Sequence, residues 1–249
     1  MTDNSIVDNS MTDNFPKNIW FYWDYSRDMP DVFTNNINKI KSEYNDFNVE
    51  IINDEKINSI SEINIIFPEL LNLYNKINIY AAKADIARLI FLYFYGGLYL
   101  DTHINHDTNN INELFEKYKN YDFVIAKNDR CFNCSSLISK KKNNILNLAI
   151  NNIINNLKKQ YDLENINGYI KYDILMLTGS SIFFSILSLF LVKISDDCDN
   201  ITNMLHFKKY NTAVYDFTKY FKYYQIGFHF NHGNDKHWHE LQKTQKLFK

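Results

Sequence analysis

Glycine is scarce in this 249-residue chain, with six in all, and proline and cysteine are scarcer, with three each. The cysteines, Cys131, Cys134 and Cys198, are too few and of the wrong parity for a disulfide-built scaffold. Cys131 and Cys134 form a C-x-x-C, but a structural zinc site needs two more ligands and no second such pair exists. Two reduced thiols in a loop is the plainer expectation beside a redox or zinc role. No apolar run reaches the roughly 20 residues that a bilayer crossing requires. The most apolar run, Ile182 to Val192, reads as a buried core helix. No secretory signal is read at the start, so a soluble, cytoplasmic protein is expected. The net charge of -2 lacks the basic excess of a nucleic-acid binder.

Hydrophobic residues make up 45% and charged residues 22%, enough for a folded core. Abundant Asn, Ile, Lys, Tyr and Phe read as genomic base bias and carry no functional meaning. Residues 1–14 are polar and nearly repeat themselves, which predicts a disordered tail ahead of a single domain over 15–249. Lys17 to Trp23 and Phe47 to Ile52 read as strands, and Pro30 to about Ser42 as a helix opened by proline. Pro68 to about Tyr74 reads as a further helix. Ile79 to Tyr95 is the clearest helix, stopped by Gly96-Gly97 and followed by a short strand, Leu98 to Leu100. Phe123 to Ala126 predicts a strand, Asn143 to Lys158 and Ser180 to Ile194 helices, and Met204 to Phe230 β-like alternation. Strands alternating with helices predict an α/β fold with a mostly parallel sheet, whose ligands sit at the carboxyl ends of its strands.

Asp101 falls at such an end, delivered with His103 by the turn at Gly96-Gly97. A carboxylate there suits a hard divalent cation and, through it, a diphosphate; the bland alternative is a turn cap. Asp85 and Arg88 lie three apart and share one face of an otherwise apolar helix. They read either as a surface ion pair or as a pair kept beside a cleft to hydrogen-bond sugar hydroxyls. The His-rich end (His229, His232, His237, His239) reads as a polar tail or as a metal site.

The run Lys83-Ala84-Asp85-Ile86-Ala87-Arg88, then Tyr93-Phe94-Tyr95-Gly96-Gly97-Leu98-Tyr99-Leu100-Asp101-Thr102-His103, resembles the signature of the DXD sugar-transferases. These are glycosyltransferase family 32 and its relatives among the large glucosylating bacterial toxins. Phe15 to Trp23 is similar to the family's opening strand. Asp122 to Ser139 resembles its middle strands, Thr178-Gly179-Ser180 its Thr-Gly-Pro turn, and His232 to Trp238 a late segment that closes the site. The resemblance implies a GT-A (Rossmann-like) fold with a mostly parallel central sheet and added helices. It also implies a UDP- or GDP-sugar donor, Mn²⁺ (or Mg²⁺), and retaining transfer to a hydroxyl of a glycan or protein acceptor.

Carried over by position, Asp85, Arg88 and Asp101 are the catalytic set. Phe21, Trp23, Tyr99 and Trp238 join Asp85 and Arg88 at the donor. Asp101, His103, His232 and His237 are the candidate metal ligands. Trp20 is expected in the core. His103 stands where the family has its second acid; imidazole also ligates Mn²⁺, and His106 and Asp107 lie close by. Two other readings stay open: a catalytically silent sugar-nucleotide or glycan-binding module, and a phosphohydrolase cleaving the sugar nucleotide with water. The chain lacks the clustered acids that a two-metal hydrolase needs.

Overall fold

In the computed structural model, the residues described are 14–24, 28–105, 111–128, 131–187, 198–223 and 237–249. Among them, six strands form the main sheet. They are β1 (Asn18–Tyr22), β2 (Asn48–Ile52), β3 (Gly97–Leu100), β5 (Phe123–Asn128), β6 (Cys131–Ser139) and β7 (Thr212–Asp216), in the order β2-β1-β3-β6-β5-β7. β1 runs parallel to β2 and β3, and β5 parallel to β7; β6 alone runs antiparallel to its neighbours. A two-residue ribbon, β4 (Ile104–Asn105) with β8 (Lys222–Tyr223), lies outside this sheet.

The sheet is the middle of three layers. Alternation along β1 sends Trp20 and Tyr22 to one core, with the helix Tyr80–Tyr95 and the long helix Asn144–Asn167. It sends Ile19 and Phe21 to the other core, with the helix Asp31–Glu43. The helix Tyr80–Tyr95 is buried nearly all round, as its apolar sequence demands. It ends at Gly96, whose φ of 63° supplies the left-handed residue that closes it, with Gly96 N–H bonded to Leu92 O at 2.9 Å. Trp20 Nε1 donates to Gly96 O at 2.8 Å, so the core tryptophan fastens this turn. Gly97, at φ 101°, lets the chain pass against β1; a Cβ there would stand 2.5 Å from Asn18 O.

Some expectations shift. The stretch from Met204 is mixed rather than β-like: Leu205–Lys209 and Phe217–Tyr220 are helices flanking β7. Polar side chains bonding the backbone (Asp216 Oδ1 accepts from Thr218 N) start the second of these. The helix read from Asn143 runs on to Asn167, stopped at Gly168. The apolar helix read from Ser180 is Ser181–Ile186, and its remainder from residue 188 lies outside the described residues, as does the predicted tail up to residue 13. Cys131 and Cys134 lie on β6 rather than in a loop, and all three cysteines are free. No described helix is long and apolar enough to cross a membrane.

Candidate functional site

The carboxyl ends of β1 and β3 open into a cavity of about 600 Å³. Eight of the site residues singled out from sequence line it: Trp23, Asp85, Arg88, Tyr99, Asp101 and His103, with His237 and Trp238 from the C-terminal segment. Phe21 does not. It is fully buried in the core on the opposite face of the sheet, because successive strand residues alternate and its neighbour Tyr22 takes the cavity side. His232, His229, His106 and Asp107 lie outside the described residues.

Arg88 organises the charged wall. Its Nη2 lies 3.1 Å from Asp85 Oδ1 and 3.4 Å from Asp101 Oδ1. Nη1 donates to the backbone carbonyl of Cys134, Nε to Ala84 O at 3.3 Å, and the guanidinium sits 4.8 Å from the Tyr99 ring centroid. Tyr99 Oη donates to Asp101 Oδ1 at 2.9 Å, so Arg88 and Tyr99 both reach the same carboxylate oxygen. Asp101 N–H donates to Ser135 O at 2.8 Å, which fixes the end of β3 against β6. Thr178 Oγ1 donates to Asp85 Oδ2 at 2.8 Å.

Burial shapes the proton affinities. It pushes Asp85 up to about 6 despite Arg88 and the Thr178 hydroxyl. Burial opposes charge on Arg88, but Asp101, Tyr99 and Asp85 outweigh it and hold the guanidinium firmly charged. Burial drives Tyr99 well above its usual range and the Cys134 thiol up to about 12, so neither is an anion at neutral pH. His103 is lowered by burial, against the pull of Asp101, and stays neutral; its ring stacks on Tyr223 at 4.9 Å and 15°.

A second charge pair involves the same helix, with its lysine buried and its carboxylate partly exposed. Lys83 pairs with Asp54, which accepts from Tyr22 Oη at 2.9 Å and Tyr74 Oη at 2.6 Å. Lys83, a member of the sequence signature, thus anchors the start of the helix to the region after β2. Asp54 had no local signal: its partners are 20 or more residues away.

Beside the charged wall, joined to it by Arg88 on Cys134 O and by Asp101 N–H on Ser135 O, stands a neutral one that sequence reading missed. The register between β5 and β6 jumps, Ile125 facing Leu137 but Ala126 facing Asn133, and the bulge turns Asn133 and Ser135 toward the cavity. Asn133 Nδ2 donates to Tyr223 Oη at 2.7 Å, and Ser135 Oγ lies 2.9 Å from the same hydroxyl.

The divalent cation that the sequence resemblance implies finds a sparse but chemically suitable set: the Asp101 carboxylate and a neutral imidazole, His103, on one turn. Among the described residues no three His, Cys, Asp or Glu converge as a metal group. Such an ion would therefore depend on phosphate oxygens of a ligand to complete its shell.

Residues 30–106 match the protein family described as "Glycosyltransferase sugar-binding region containing DXD motif". No curated protein sequence matches the chain. Among solved structures, the PaToxG glycosyltransferase is similar at 16% identity over 76% of this chain and 73% of that chain, with a TM-score of 0.54. The glycosyltransferase domain of the YGT toxin is similar at 11% identity. Its ligand-free form covers 76% of this chain and 71% of that one at a TM-score of 0.46, and its UDP-bound form 82% and 80% at 0.48. The fold is of the GT-A type.

Proposed function

Since residues 30–106 match a glycosyltransferase sugar-binding region with a DXD motif, we propose that the chain is a glycosyltransferase that moves a sugar from a UDP- or GDP-sugar to a hydroxyl of a glycan or protein acceptor, with retention of configuration. The domain doing so would span residues 15–249. The observation that carries this reading is the Asp85–Arg88–Asp101 cluster, held together by ion pairs on one wall of a substrate-sized cavity at the strand ends.

In this reading Asp85 and Arg88 orient the donor sugar, and Arg88 opposes the charge that grows on the departing nucleoside diphosphate. Because Asp85 and Asp101 already fix its guanidinium, little reorganisation accompanies the reaction. Tyr99 holds Asp101 in place through its hydroxyl. Trp23 offers a ring for the donor base, and Trp238 packs on the donor from the other side. Asp101 and His103 would hold Mn²⁺ or Mg²⁺, with His237 and His232 as further candidate ligands. When bound, that cation neutralises the diphosphate. The bond from the anomeric carbon to phosphate oxygen breaks as the acceptor oxygen bonds to that carbon from the same face. The acceptor proton passes to the leaving phosphate.

Calorimetric titration with UDP and GDP, with and without Mn²⁺, tests the site. Proton NMR of the product tests the stereochemistry. Tight, Mn²⁺-dependent binding of one nucleotide and a product anomer matching the donor support the reading. No nucleotide binding, or an inverted product, contradicts it.

A further inference from the structure

The polar groups on both walls of the cavity have partners, with one exception. In the charged wall each group engages another. In the neutral wall the hydrogen-bonding groups of Asn133, Ser135 and Tyr223 are also engaged with one another: Ser135 N donates to Asn133 Oδ1 at 2.9 Å, Ser135 Oγ approaches the same oxygen, and Asn133 Nδ2 donates to Tyr223. Asn128 is the exception. It lies at the end of β5 and lines the cavity beside Tyr223. Its Oδ1 is buried with no partner, the one such side-chain atom among the described residues. Buried side-chain oxygens are satisfied in the large majority of cases, and one that is not needs a reason.

The chemistry of that oxygen narrows its counterpart. An amide oxygen only accepts, so a phosphate oxygen, itself an acceptor, is no partner for it. A cation is better served by the Asp101 carboxylate on the adjoining turn than by a neutral amide oxygen. An O–H or N–H donor fits. The position narrows it further. Tyr223, which Asn128 contacts, stacks on His103 of the turn that carries Asp101. Asn128 therefore borders the part of the cavity next to the Asp101 turn, where the sugar joins the diphosphate in the reading above.

We propose that Asn128 is a donor-sugar recognition residue, its Oδ1 accepting a hydrogen bond from a hydroxyl of the sugar to be transferred. This rests on the proposed transferase reading and assigns a specificity element to it. An amide, unlike a carboxylate, would select for a hydroxyl without adding charge beside the diphosphate.

The test compares wild type, Asn128→Leu and Asn128→Ala. Calorimetry with Mn²⁺ would use UDP and GDP alone, then UDP-glucose, UDP-N-acetylglucosamine and GDP-mannose. Thermal melting of the ligand-free proteins would run beside it. Wild type is expected to bind one nucleotide sugar more tightly than its nucleoside diphosphate. Both variants should bind the nucleoside diphosphate as wild type does and lose roughly tenfold of the gain due to the sugar. The ligand-free melting temperature should not fall in Asn128→Leu. A lowered melting temperature with the sugar gain intact in both variants would overturn the proposal and make Asn128 a structural partner of Tyr223. Failure of wild type to bind any nucleotide would instead overturn the transferase reading.

Discussion

Arg88 Nη2 lies 3.4 Å from Asp101 Oδ1, joining the helix Tyr80–Tyr95 to the tip of β3. One guanidinium thereby couples the two halves of the sequence signature, and the same nitrogen is 3.1 Å from Asp85. The spacing of the signature is a consequence: the helix must end at Gly96 and the chain must reverse tightly through Gly97 for this contact to form.

Lysine should not replace Arg88. An ammonium cannot reach Asp85, Asp101 and the Cys134 carbonyl together, and it lacks the flat face set over Tyr99. Arg88→Lys should lower stability by about 2–4 kcal/mol in urea denaturation and abolish measurable turnover.

Asp85→Asn separates function from stability. The folded carboxyl titrates at about 6 against 3.8 as its ordinary value, so the folded state holds this proton more tightly than the unfolded. Its effect is to erode stability as pH rises from about 4 through about 6, on the order of 2–3 kcal/mol in all. The amide retains the bond from Thr178 and removes the titration. Asp85→Asn should therefore flatten this part of the pH–stability curve and leave the protein at least as stable at pH 7. Turnover should fall roughly 10²-fold, and the acid limb of kcat/KM near pH 6 should disappear.

Lys83→Met tests the second charge pair. Burial works against the Asp54 charge, but Lys83 and the hydroxyls of Tyr74 and Tyr22 outweigh it and hold its carboxyl below the usual range. Such a group stabilises the fold above the ordinary carboxylate pKa, and that stability is lost as pH falls through its folded value. Lys83→Met should cost about 2–3 kcal/mol at pH 7 and shrink the loss on acidification, as read from urea midpoints between pH 3 and 7.

Gly97→Ala should be among the most damaging single changes. It combines a φ of 101° with a Cβ 2.5 Å from Asn18 O, where β1 pairs with β3. A loss of at least about 3 kcal/mol is expected, seen as a lowered urea midpoint or insoluble expression.

The helix Tyr80–Tyr95 and the tip of β3 were legible because their signals are local: an apolar period, a double glycine, an acid three residues before an arginine. The face on which Phe21 falls was not. Ile19 to Tyr22 is apolar throughout because β1 is covered on both sides, and such a run carries no alternation to say which residue meets the cavity. β6 was read only through resemblance, since Cys131 to Ser136 mixes thiol, amide and hydroxyl groups. It is central because β3 and β5 flank it, a property of topology rather than of its own composition. Tyr223 and Asn128 gave no signal: the first sits on a two-residue strand and the second is informative only through an unmet oxygen.

The most direct test of the account is release of nucleoside diphosphate from a panel of UDP- and GDP-sugars by wild type and Asp101→Ala, each with Mn²⁺ and with EDTA. The account predicts turnover of one donor by wild type with Mn²⁺, lost in EDTA and in the variant. Turnover that survives Asp101→Ala, or the absence of turnover with every donor, would contradict it.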